Sequence, residues 1–174
     1  AGAVGSAVVQ IAKIKGCTVI GSAGGAEKVA LVKSIGADEC IDYRQHSTYE
    51  GLLGALKEAA PKGIDVYFDN VGGDHFQAAI EVARPFARMA ICGMISQYND
   101  TDPRPGPNNV IQIVGKQLQI RGFIVSTHAD MQPEFLKDMA TWIASGHMKF
   151  EETVFEGVEN APKAFMGLFS GANK

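Results

Sequence analysis

With 174 residues, 46% of them apolar, the chain has the size and the hydrophobic content of one large domain with a real core. Its formal net charge is −3, and its lysines and arginines are scattered rather than clustered, which argues against a nucleic-acid partner. No apolar run approaches a membrane span and no signal-peptide pattern opens the chain, so neither a membrane partner nor an export route is expected.

The chain begins with Ala1-Gly2-Ala3-Val4-Gly5-Ser6, and the Gly-x-x-Gly spacing matches the last two glycines of the dinucleotide fingerprint G-x-G-x-x-G. The first glycine and its strand would then lie upstream, so the sequence is expected to be a piece of a longer chain. A plain tight turn is the alternative. Residues 6–15 read as an amphipathic helix stopped by Gly16, and the β-branched run 17–21 reads as the next strand. Turn, helix, glycine stop and apolar strand in that order favour a βαβ unit anchored on an anion-binding helix N-terminus.

The alternation continues: a helix at 26–35 stopped by Gly36, a short strand at 39–42, and a helix at 47–60 ending before Pro61. A strand at 64–70 turns through Val71-Gly72-Gly73 into a helix at 74–83, followed by a strand at 88–93. Three prolines mark 99–108 as an exposed loop. A helix at 109–116, a strand at 118–125, a helix at 133–145 and a last helix near 161–169 complete the order. This is the pattern of an α/β fold, a Rossmann-type doubly wound parallel sheet with helices on both faces and its first strand absent. A single domain over 1–174 is expected, with sheet order 3-2-1-4-5-6 and strand 118–125 at an edge. An apolar edge invites pairing with a second copy, so a homodimer through 118–125 is expected.

An NAD-binding unit carries an acid about 20 residues after the glycine turn. Here the second strand runs into Gly21-Ser22-Ala23-Gly24-Gly25, without an acid, and Lys28 follows. A small polar corner at Ser22 backed by a cation suits the 2′-phosphate of NADP; the alternative is an ordinary solvated lysine. Tyr43 either completes that pocket or caps the third strand. At the sheet's carboxyl end, 69–73 (Asp-Asn-Val-Gly-Gly) and 92–99 (Cys-Gly-Met-Ile-Ser-Gln-Tyr-Asn) are placed where open α/β sheets bind ligands. Tyr98 is the one strong proton-donor candidate there, against a packed tyrosine with its hydroxyl at the surface. Cys17, Cys40 and Cys92 read as small buried hydrophobes in a cytoplasmic protein, and four dispersed histidines suggest no zinc site.

The segments 2–6 (Gly-Ala-Val-Gly-Ser), 69–73, 92–99, 121–125 (Arg-Gly-Phe-Ile-Val) and 171–174 (Gly-Ala-Asn-Lys) together resemble the zinc-independent medium-chain dehydrogenases/reductases, in the branch of 2-alkenal, prostaglandin and curcumin reductases. The resemblance spans the chain and implies the NADP-binding domain of an NADPH-dependent enzyme that saturates the C=C bond of enones and enals. It implies that an N-terminal substrate-binding domain and a terminal strand lie outside this sequence. Carried over by position, it assigns Gly2, Ala3, Val4 and Gly5 to the pyrophosphate, and Lys28 and Tyr43 to the 2′-phosphate. It places Asn70, Cys92, Ser96 and Tyr98 at the ribose and nicotinamide end, Phe123, Ile124 and Val125 beside the nicotinamide ring, and Asn173 at a late cofactor contact. A quinone reductase of the same superfamily and a non-catalytic dinucleotide-binding module are the alternatives.

Overall fold

The computed structural model describes residues 2–170. In chain order it contains α1 (Ala3–Ile14), β1 (Ile20–Ala23), α2 (Ala26–Ser34), β2 (Glu39–Asp42), α3 (Tyr49–Ala59) and β3 (Ile64–Asp69). These are followed by α4 (Gly73–Val82), β4 (Ala83–Ile91), α5 (Ile111–Gly115), β5 (Gln119–Gly122), α6 (Gln132–Ala144) and α7 (Ala161–Ser170). The fold is mixed α/β, and all strand pairs are parallel, as the alternating sequence requires.

The chain divides into two compact units, one formed by residues up to Arg44 together with those from Pro133 onward, the other by Gln45–Gln132. The first unit holds β1 and β2, registered Ile20↔Glu39 to Ala23↔Asp42. Val9, Val19, Ala23, Val32 and Ala37 form its core between α1, α2 and the strands. Gln10, only 3% exposed, donates from Nε2 to the Lys149 carbonyl (3.0 Å) and accepts the Lys149 amide (2.7 Å) at Oε1. That two-way amide clamp makes its burial affordable. The second unit holds the sheet β3-β4-β5, with Ile80, Met89, Ala79, Ala83, Ala87 and Leu118 as its core. Fully burying a side chain such as Ile80 is worth about 1.5–3 kcal/mol.

Within each unit these adjacencies are those of the expected order, with β5 at an edge among the described strands. Several boundaries differ from the sequence reading. The strand expected at 17–21 starts at Ile20, because the Val19 amide is taken by Asp38 Oδ2 (2.7 Å) and the ladder begins only beyond it. β4 starts at Ala83, directly from α4, and its register against β3 shifts between Ile64 and Val66. The strand expected at 118–125 ends at Gly122, and a 3-10 segment begins at Val125. Cys17 and Cys92 are exposed and Cys40 is half-buried, which corrects the reading of all three as buried hydrophobes. Both exposed thiols lie just outside the ladders that β1 and β4 form.

Candidate functional site

In the first unit, Gly2 caps α1 in extended conformation with no side-chain cap, and the first intrahelical bond is the Ser6 amide to the Gly2 carbonyl (2.9 Å). The amides of Ala3, Val4 and Gly5 therefore lack helical partners, and no acidic side chain stands in the first turn. That arrangement fits an anion. A methyl built on Gly5 would meet nothing within 4 Å, so the close helix–sheet packing associated with the last fingerprint glycine is not seen among the described residues.

The Gly24-Gly25 turn is built by the end of β2. Asp42 Oδ1 accepts the Gly25 amide (2.8 Å) and the Arg44 amide (3.1 Å), folding Tyr43–Gln45 into a 3-10 turn against it. A methyl on Gly24 would sit 2.6 Å from the Tyr43 hydroxyl oxygen and 2.9 Å from Arg44 Nε, so only glycine admits both side chains. Lys28, in the first turns of α2, is held below the ordinary lysine range, first by burial and next by the nearby Arg44 charge, with Glu27 opposing. A guanidinium and a phenol against one small turn, with the Lys28 charge near Arg44, suit a 2′-phosphate. Tyr43 and Arg44 meet at Gly24, the Lys28 charge lies near that of Arg44, and Ser22 is exposed on β1 just before the same turn. Arg44 was missed: a basic residue directly after a strand-end Asp-Tyr was the available signal.

In the second unit, two loops at the carboxyl ends of β3 and β4 form an interlocked arch. The Asp69 carbonyl accepts the Cys92 (2.8 Å) and Gly93 (3.1 Å) amides, and the Asn70 carbonyl accepts Ile95 N–H (3.0 Å). The Val71 carbonyl accepts both the Ser96 amide (3.1 Å) and the Ser96 hydroxyl (2.6 Å). Ser96 is thus spent on the arch. The Tyr98 hydroxyl accepts the Met94 amide (3.2 Å) and lies over Gly93, where a methyl would come within 2.7 Å of it. The residue is 62% exposed, while its hydroxyl is anchored by its own loop. Asn70, Cys92, Ser96 and Tyr98 are therefore brought together.

Phe123, Ile124 and Val125 follow β5. The Phe123 amide bonds to the Ile91 carbonyl (3.2 Å), its ring meets Phe68 edge-on at 6.1 Å, and Ile124 and Val125 are exposed. Asn173 lies outside the described residues. Beneath the arch sits Asp69, 1% exposed, whose Oδ1 accepts the Val71 (2.7 Å) and Gly72 (2.9 Å) amides. Sequence reading missed its weight, although an Asp ending a buried strand before a glycine pair is the usual mark of such a turn. Burial, and then the Asp69 charge, push the Tyr67 phenol far above its ordinary range. Burial pulls His75 below its own, against Asp69 and Asp74.

The chain belongs to the zinc-binding dehydrogenase family, whose model matches residues 3–143. It is 49% identical over 175 residues to prostaglandin reductase 1 of Bos taurus, covering 99% of this chain and 52% of that protein. It is 42% identical to the NADP(+)-dependent 2-alkenal reductase of Nicotiana tabacum, covering 99% of this chain and 49% of the other. The crystal structure of CurA from Vibrio vulnificus in complex with NADPH superposes with a TM-score of 0.89 at 43% identity, covering 99% of this chain and 52% of that one. The chain thus spans about half the length of these relatives. Among the described residues no three His, Cys, Asp or Glu side chains gather as a metal site, and no helix is long and apolar enough to cross a membrane.

Proposed function

We propose that this chain is the NADP-binding domain of an NADPH-dependent oxidoreductase that reduces the C=C bond of α,β-unsaturated ketones or aldehydes. The observation that carries the reading is the pair of neighbouring cations, Lys28 and Arg44, by the Gly24-Gly25 turn; Tyr98, whose hydroxyl is anchored on the Met94 amide, adds to it. The likeness to prostaglandin and 2-alkenal reductases supports the substrate class. The amides of Ala3–Gly5 hold the pyrophosphate, the corner at Ser22, Lys28, Tyr43 and Arg44 holds the 2′-phosphate, and Asn70, Cys92 and Ser96 shape the nicotinamide end. Phe123–Val125 flank that end, and Asn173 adds a late contact. When bound, NADPH supplies the hydride.

Hydride arrival at the β-carbon of an enone leaves negative charge on the carbonyl oxygen, and a proton must then reach the α-carbon. Tyr98 Oη accepts Met94 N–H and keeps its own proton to donate, so it is built to stabilise that oxygen. The reaction uses no zinc. The working protein is a cytoplasmic homodimer, without nucleic-acid or membrane partners, in which a separate portion of the polypeptide binds the substrate.

Steady-state NADPH oxidation by the full-length protein against a panel of enals, enones and quinones tests the reading. Turnover of enals and enones, unaffected by a zinc chelator, is expected. Turnover of quinones alone would replace it with the quinone-reductase reading, and NADPH binding without any turnover would leave a binding module.

A further inference from the structure

We propose that Asp69 is the positioning residue of the arch: its buried carboxylate fixes the 70–72 turn and, through the Val71 carbonyl, sets where Ser96 and Tyr98 stand. The inference rests on the oxidoreductase reading for its kinetic consequence but not for its geometry. Asp69 ends β3, and its side chain is almost wholly removed from solvent. One oxygen collects two consecutive backbone amides, Val71 at 2.7 Å and Gly72 at 2.9 Å. The Val71 carbonyl, oriented by that capture, receives Ser96 through amide and hydroxyl together. Two residues later stands Tyr98, whose hydroxyl closes back on the Met94 amide. Side chain, turn, serine and tyrosine thus form one unbroken chain of bonds within a single unit of the fold.

A neutral asparagine would form the same turn with the same two amides. A buried carboxylate is the costlier choice, even with the Tyr67 phenol beside it. What the charge adds is strength, because hydrogen bonds to an ionised acceptor are roughly twice as strong as neutral ones. A turn that only had to fold would not need that; a turn that must hold a reacting hydroxyl in place does, since small misplacements of such groups cost large factors in rate.

The test uses the full-length protein as wild type, Asp69→Ala, Asp69→Asn, Tyr98→Phe and the Asp69→Ala/Tyr98→Phe double variant. Enone kinetics, NADPH affinity by nucleotide fluorescence, and amide hydrogen exchange are measured on each. Asp69→Ala should lower kcat about tenfold or more while NADPH affinity moves by less than about threefold. Asp69→Asn should recover most of that loss. In the Tyr98→Phe background, Asp69→Ala should cost less than about twofold, because the hydroxyl it positions is gone. Exchange at Val71, Gly72 and Ser96 should accelerate in Asp69→Ala while the Val66–Phe68 ladder stays protected. Equal losses in both backgrounds, or unchanged exchange at Ser96, would overturn the proposal. If the wild type binds NADPH but reduces no enone, the functional reading fails alone, and Ser96 exchange still decides the role of Asp69. If Asp69→Ala does not fold, Asp69→Asn carries the same tests with smaller expected effects.

Discussion

Lys28 and Arg44 repel one another across the Gly24-Gly25 turn, and a bound phosphate would turn that mutual cost into shared attraction. A hydrogen bond to a charged group is worth about 1.5–3 kcal/mol. Lys28→Ala and Arg44→Ala should therefore each raise the KM for NADPH about tenfold and leave that for NADH nearly unchanged, as read from steady-state kinetics of the full-length protein. Equal use of both cofactors by the wild type would remove the basis for this expectation. Tyr98→Phe should act differently, lowering turnover of an enone more than it weakens NADPH binding, because the hydroxyl works mainly in the transition state. Unchanged turnover would return Tyr98 to a purely structural role, that of fastening Met94.

At the scale of elements, the left-handed glycines between helices and strands do not all bear the same load. Gly16 has φ +82° with open space where a side chain would go, whereas Gly63, at φ +78°, would place a methyl 2.6 Å from the Val82 carbonyl. Gly16→Ala should cost about 1–2 kcal/mol from left-handed strain alone, and Gly63→Ala about 3 kcal/mol or more from strain plus a clash with backbone. Urea unfolding of the two variants checks the ranking. The Gly16 and Gly36 stops were legible in the sequence because local chemistry sets them. The start of β1 was not, because it depends on Asp38 reaching across to Val19. Nor was the direct passage from α4 to β4, which depends on the Ile64↔Ala83 pairing. In the candidate site, the glycine turns were legible from spacing and Lys28 and Tyr98 stood out as candidates, whereas Arg44 and Asp69 act through contacts that only the folded turns create.

The same helix α4 carries a pH dependence of stability. His75 is pulled below its ordinary value of 6.5 chiefly by burial, so the folded state prefers the neutral ring. Between the lowered folded value and 6.5 the unfolded chain binds more protons, so stability is fully present above about pH 6.5 and is lost as pH falls through the folded value. Thermal melts across that window should show the loss in wild type and a flatter profile in His75→Asn. Identical profiles would mean that other groups carry the acid limb.

For the whole molecule, the question is what meets the free side of β5. Its register against β4 is Arg88↔Gln119 to Ile91↔Gly122, and among the described residues no strand lies beyond it. The Phe123 amide points inward to the Ile91 carbonyl, so strand alternation turns the amides of Ile120 and Gly122 outward. An edge with outward amides, next to Ile124 at 70% and Val125 at 79% exposure, is a template for a second strand. A two-fold axis there would join two copies of β5 and continue the sheet from one subunit into the next. Gly122→Pro tests this with little disturbance, because a methyl at Gly122 meets nothing within 4 Å and proline is tolerated on edge strands. It removes one outward N–H and leaves the core side chains in place. Light scattering of the full-length protein should give the mass of two chains for wild type, shifting toward one chain in Gly122→Pro with its melting temperature nearly kept. A wild type that runs at the mass of one chain at working concentrations would defeat the dimer. A dimer indifferent to Gly122→Pro would move the interface elsewhere on the surface.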